Sequence, residues 1–159
     1  MKKIFLSFAL FFCACGYTPL NVATSNVLGD DVCVKTLINK ADPRNSLILN
    51  DNFIDYLQHY LHKNIVDDAD TKITLKVLNS DFVVLYYDEL GYAKSYKAII
   101  LLEFEVTLKN KETKIIQVSG EHIFNTNSIS VLSDEQKSRA INLASKKAFD
   151  EFALMLNLK

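Results

Sequence analysis

The segment 97–109 sets the terms for any fold of this chain. Ala98, Ile100, Leu102, Phe104, Val106 and Leu108 fall on one side of it, and Lys97, Glu103, Glu105, Thr107 and Lys109 on the other. An apolar period of two over that length is a strand with one buried and one solvated face, because helical apolar residues recur every three or four positions. The chain must therefore build a sheet around this strand. Its flanks supply the neighbours. Upstream, Ile73, Leu75 and Val77 alternate with Lys72, Thr74 and Lys76, and the phase breaks at Asn79-Ser80-Asp81. A bulge there re-aims the continuation 82–87. Asp88-Glu89-Leu90-Gly91 then makes a hairpin turn, with Gly91 free to take a positive φ. Downstream, Asn110-Lys111-Glu112-Thr113 forms a second hairpin tip, and Ile116, Val118 and Phe124 mark one face of a last strand over 114–124.

Two helices and a first strand complete the pattern. Residues 32–38 read as a strand by their β-branched content, stopped by Asn39 and Asp42-Pro43. Phe53, Ile54, Leu57, Tyr60 and Leu61 recur at helical spacing, which predicts a helix over 51–63 with Asn50 or Asp51 as N-cap. Residues 46–49 are compatible with extended chain or with an earlier helical turn. Near the end, Ser133-Asp134-Glu135-Gln136 fits a capping box, followed by an apolar stripe of Ala140, Ile141, Ala144, Ala148, Phe149, Phe152 and Met155. The expected order is β-α-β-β-β-α. It suits an α+β two-layer sandwich, a four-stranded, largely antiparallel sheet with two helices on one face. Ile99 and Leu101 lie opposite the buried stripe, and 82–87 is apolar on both sides, so the uncovered face carries apolar groups. These meet a partner or tuck under a loop of the chain itself.

The N-terminus places this domain in a compartment. Lys2 and Lys3 precede an apolar run over 4–14 interrupted only by Ser7. About eleven residues cannot span a bilayer, which takes roughly 20, so residues 1–14 read as a signal peptide. Phe12-Cys13-Ala14-Cys15-Gly16 resembles a lipobox. Cleavage before Cys15 puts the small Ala14 at the cut, whereas cleavage before Cys13 would put bulky Phe12 there, so Cys15 is the expected site of acylation. Gly16 permits onward transport to the outer membrane, since an Asp in that place holds lipoproteins at the inner one. Residues 15–31 lack a sustained period and read as a lipidated tether, and 32–159 as a single periplasmic domain. Of the three cysteines only Cys33 then stays in the domain as a free thiol, in an apolar stretch where a small buried hydrophobe is the ordinary reading and an intermolecular bridge the other.

The sequence argues against most chemistry. Removal of 1–14 leaves sixteen basic and nineteen acidic side chains, a net charge of −3, with no basic run longer than two residues, which excludes a nucleic-acid binder. His59 and His62 are three apart, and no third ligand completes a zinc pattern, so no metal is expected. With four glycines there is no phosphate-binding loop, and there is no Gly-x-Ser-x-Gly elbow. Glu103 and Glu105 sit on a solvated strand face among lysines. No catalytic residue and no cofactor is expected; an undetected hydrolase is the least supported reading.

Taken together, Cys15-Gly16-Tyr17 with Pro19-Leu20 shortly after, Ser95-Tyr96-Lys97 leading into the long strand, and Asp134-Glu135-Gln136 opening the last helix resemble the LptE lipoproteins across the whole mature chain. The resemblance implies a non-enzymatic outer-membrane protein, anchored on the periplasmic side by acyl chains such as palmitate. It would act as plug and assembly partner of the large β-barrel LptD in lipopolysaccharide transport. Tyr86, Tyr87, Tyr92 and Tyr96, with Ile99 and Leu101, are the candidate partner contacts, unless they are ordinary strand aromatics and apolar residues. Lys94 and Lys97 are the candidate lipopolysaccharide contacts; where the family carries a basic residue in the adjoining turn, Asp88 and Glu89 stand here. The alternative is a free-standing lipid or glycolipid carrier. A carrier needs an enclosed apolar cavity, and a plug needs a filled core with an apolar outer surface.

Overall fold

The computed structural model describes residues 20–37, 43–126 and 131–157. The order is α1 (Leu20–Leu28), β1 (Asp31–Leu37), α2 (Pro43–His59), β2 (Asn64–Ile65), β3 (Thr71–Tyr87), β4 (Ala93–Thr107), β5 (Thr113–Asn125) and α3 (Asp134–Leu156). The sheet runs β2-β1-β3-β4-β5. β1 is parallel to both β2 and β3, while β3, β4 and β5 form an antiparallel meander. Among the described residues this is an α+β fold of three helices on a five-stranded, curled, mixed sheet, and it corrects the expected four strands, two helices and largely antiparallel sheet. The parallel pairing has a plain cause. A parallel return needs a long crossover, and α2 between β1 and β3 supplies one.

The stretch expected to be a tether folds in part. Leu20–Leu28 is helical, with Thr24 and Leu28 buried. Its end is fastened to the sheet by Thr71, whose Oγ1 donates to the carbonyl of Leu28 at 2.7 Å. Lys63, buried just beyond α2, donates from Nζ to Ser25 Oγ and to the Gly29 carbonyl, the latter at 2.8 Å. Burial holds its ammonium below the usual lysine range, against the upward pull of Asp30. α2 begins at Pro43, ahead of the expected start, and a proline is well placed in a first helical turn because its missing N–H would have no partner there.

α2 and α3 pack on the face of the sheet that the long stripe of β4 predicts. Phe53 of α2 lies with its ring centroid 5.0 Å from Phe104 of β4 and 5.1 Å from Phe149 of α3, and Phe104 stacks on Phe152 at 4.2 Å. All four rings are fully buried. Tyr56 caps this cluster by donating from its hydroxyl to Asp150 at 2.9 Å. α3 opens with the expected capping box, Ser133 and Gln136 each satisfying the other's backbone N–H. It crosses β5 very closely. At Gly120 a Cβ would fall 2.0 Å from the carbonyl oxygen of Ala144, so only glycine lets helix and strand touch backbone to backbone.

Candidate functional site

With the helices on one face, the other face of β3-β4-β5 is left uncovered by the described residues. Register shows what it displays. Across the three strands run the rows Lys76–Glu103–Gln117, Asn79–Leu101–Ser119, Asp81–Ile99–Glu121 and Val83–Lys97–Ile123. Ile99 and Leu101 are half-buried at its centre, with Val83 and Ile123 exposed beside them. Ion pairs border the spot: Lys97 to Glu121 at 3.1 Å and Lys76 to Glu103 at 3.4 Å. Gln117 also donates to Glu103 at 2.6 Å, which with Lys76 holds that carboxyl below the usual range. The face is therefore apolar at its centre and charged around it, with Lys76 and Lys97 each paired to a carboxylate.

β3 and β4 run on into a hairpin whose tip is apolar and in solvent. Val83, Leu85, Tyr86, Tyr87, Leu90 and Tyr92 are all exposed, Leu90 to 80%. The pairing slips at Val77/Asn79 and again between Val84 and Tyr87, so the expected bulge is present, beginning one residue before Asn79, with a second irregularity near the tip. Asp88 organises the turn. Its carboxylate accepts from the backbone N–H groups of Leu90 at 3.0 Å and Tyr92 at 2.8 Å, and Gly91 takes φ +81°. Those bonds, the one from Tyr92 foremost, keep the Asp88 carboxyl below its usual range, with Lys94 beside it at 3.5 Å. This acidic turn is a structural device of the hairpin.

The structure gathers the candidate contacts unevenly. Tyr86, Tyr87 and Tyr92 come together at the tip, and Ile99 and Leu101 at the centre of the open face. Tyr96 lies apart: it pairs beside Phe124 on the helix side of the sheet and stacks on that ring at 5.8 Å. Lys94 and Lys97 are three apart on one strand and so point to opposite faces, the first paired with Asp88 and the second with Glu121. Cys15 lies outside the described residues. Leu90, Ile115 and Ile123 belong to the exposed apolar surface and were missed, though the alternation of β5 signals the isoleucines, which sit out of phase with Ile116 and Phe124.

Other candidates resolve without a site. Cys33 is a buried free thiol donating to the carbonyl of Asp67 at 3.2 Å. His59 ends α2, and His62 lies beyond its end at φ 53°, so the two are not on one helix face. No group of three metal-ligating side chains occurs among the described residues, and none of their helices is long and apolar enough to cross a membrane.

No family model and no curated protein matches this chain in sequence. Solved structures match its fold. A minor lipoprotein from Acinetobacter baumannii aligns over 82% of this chain and 92% of its own with TM-score 0.51 and 8% identity. A putative lipoprotein from Caulobacter crescentus aligns over 87% and 92% with TM-score 0.52 and 12% identity. A Xanthomonas campestris protein of the DUF330 type aligns over 80% and 82% with TM-score 0.55 and 10% identity. The architecture is thus one shared with bacterial lipoproteins.

Proposed function

We propose that this chain is an exported lipoprotein, cut before Cys15 and acylated there, held on the periplasmic side of the outer membrane. Its role is non-enzymatic: plug and assembly partner of a large LptD-like β-barrel in lipopolysaccharide transport, as the resemblance to LptE implies. The observation that carries this reading is the division of apolar surface. The space between sheet and helices is filled by Phe53, Phe104, Phe149 and Phe152, while the hairpin tip and the centre of the open face leave apolar groups in water. That arrangement suits docking against a partner and leaves a free-standing carrier no room for a lipid between the layers. The fold shared with lipoproteins supports the anchor, and Gly16 supports the outer membrane. Contact with lipopolysaccharide through Lys94 and Lys97 would require each to exchange its carboxylate partner for an anionic group of the glycolipid.

The test is a photo-crosslinking amino acid placed at Tyr87, at Leu101 and, on the helix layer, at exposed Lys146 in the lipidated protein in cells. Crosslinks from Tyr87 and Leu101 to one barrel-sized outer-membrane protein, absent from Lys146, are the expected result. Equal yields from all three positions, or none from the first two, would overturn the reading.

A further inference from the structure

Among the described residues β5 is the edge of the sheet along its full length, and its only charged residues are Lys114 and Glu121, the latter paired with Lys97. It pairs with β4 from Thr113 to Asn125 without a register shift, and it contains no proline. Natural edges of that length are normally bulged, shortened, covered or studded with charge. The direction of its free backbone groups follows from two bonds, Thr126 N–H to the Lys94 carbonyl and Leu108 N–H to the Glu112 carbonyl. In antiparallel pairing the bonded positions alternate, so the even residues of β5 bond to β4. The N–H and C=O groups of Ile115, Gln117, Ser119, Glu121 and Ile123 therefore point outward, and none has a backbone partner among the described residues. The side chains of the same five residues lie on the open face, where Ile115 is 67% and Ile123 60% exposed.

The other side of this edge is overlooked by α3. Ala144 and Ala148 lie on Gly120, and Phe149 turns inward to Phe53, so Leu143 and Lys147, one residue before those alanines, face beyond β5. Arg139 and Leu143 line a surface cleft of about 330 Å³ together with His122 and Phe124. Burial first, and then the nearby charge of Lys147, hold the His122 imidazole below its usual range. Arg139 and Lys147 make no ion pair among the described residues, unlike the lysines of the open face.

We propose that the β5 edge is a docking site for an extended segment of another protein, which adds a sixth strand to the sheet. The segment carries apolar side chains against Ile115 and Ile123 and carboxylates on the alternate positions, where they meet Arg139 and Lys147. Backbone bonds supply affinity that is blind to sequence, and the alternation supplies the selection. A second copy of this chain is the poorer occupant. A two-fold axis through Ser119 would pass where α3 crosses β5 and would set Lys147 against its own copy. The inference stands independently of the barrel reading, because it concerns the shape and charge of the segment and not its source.

The test uses the full lipidated chain in mild detergent and two synthetic peptides, one alternating valine with glutamate and one alternating valine with lysine. Amide hydrogen exchange at Ile115, Gln117, Ser119, Glu121 and Ile123 is followed by NMR. The glutamate peptide should slow exchange at these five amides and bind about tenfold more tightly than the lysine peptide. Ser119→Pro should abolish the effect while keeping the melting temperature, because that N–H points away from β4 and edge strands tolerate proline there. Should that variant fail to fold, Lys147→Glu tests the same idea by removing the preference for glutamate. The proposal is overturned if exchange is unchanged, or equal with both peptides. It is overturned too if the amides are already protected in the free monomer, meaning the chain's own segment occupies the edge, or protected only as concentration rises, meaning a second copy does.

Discussion

Replacing Gly120 with alanine separates two accounts of this fold by the sign of the effect. Judged locally, the change should help, since glycine weakens a strand and alanine restricts the unfolded chain, a gain of about 0.5–1 kcal/mol. The structure says the reverse. The new methyl group would sit 2.0 Å from the Ala144 carbonyl oxygen and 2.9 Å from the Ala148 nitrogen. Ordinary van der Waals separation is roughly 3.5 Å, so α3 must lift by about 1.5 Å. Both obstructing groups are helix backbone, so no side chain can swing aside. Lifting α3 also loosens Phe149 and Phe152, which it holds against Phe53 and Phe104. Overpacking of this kind costs about 1–3 kcal/mol, and the rigid obstacle places Gly120→Ala at the upper end. At about 3 °C per kcal/mol for a chain of this size, the melting temperature should fall by roughly 8–10 °C. The assay is thermal unfolding followed by far-ultraviolet circular dichroism, with Ser119→Ala as a neighbour that should stay within about 0.5 kcal/mol. An unchanged or raised melting temperature for Gly120→Ala would refute the close crossing of α3 over β5.

Three further expectations can be checked, two by unfolding of the purified protein and one by labelling in cells. Lys63 is buried with its ionisation suppressed, so the folded state releases its proton more readily than the unfolded one. Wild type should therefore gain stability relative to Lys63→Met as pH rises from the depressed value towards the usual 10.5, measured by urea unfolding at several pH values. Tyr56 behaves in the opposite sense. Burial first, then its bond to Asp150, raise the phenol above its usual value of 10, so its contribution is complete below pH 10 and declines above it. Tyr56→Phe should lose about 1 kcal/mol at neutral pH and should lack the additional alkaline decline of wild type. Labelled palmitate should enter the intact protein and its Cys13→Ser variant but not Cys15→Ser; incorporation into the last would place acylation elsewhere.

The parts of this fold that were legible in the sequence are those in which one face is plainly buried. The stripe of β4 named the core side of the sheet, the Ser133 to Gln136 box opened α3, and Gly91 marked the hairpin turn. The first helix was not legible. Its nine residues have no charge, and what holds it is distant: Thr71 and Lys63 bond to its end. β2 is two residues long and exists only through its register with Asp31 and Val32, a contact between segments far apart in the chain. The same limit applied to the candidate site. Alternation placed Ile99 and Leu101 on the open face, yet it could not show that Tyr96 would turn to the helix side and stack on Phe124, or that Asp88 and Glu121 would occupy Lys94 and Lys97. The close approach at Gly120 left no trace beyond a glycine in a strand.

The central claim is that this chain docks into a β-barrel partner, and a mild-detergent pull-down of the lipidated protein from outer membranes tests it most directly. The account predicts a single large barrel recovered in equal stoichiometry, identified by mass spectrometry, and lost when Tyr86, Tyr87 and Leu90 at the exposed hairpin tip are all changed to serine. Recovery of the protein alone, or with a barrel that stays bound to the triple variant, would contradict it.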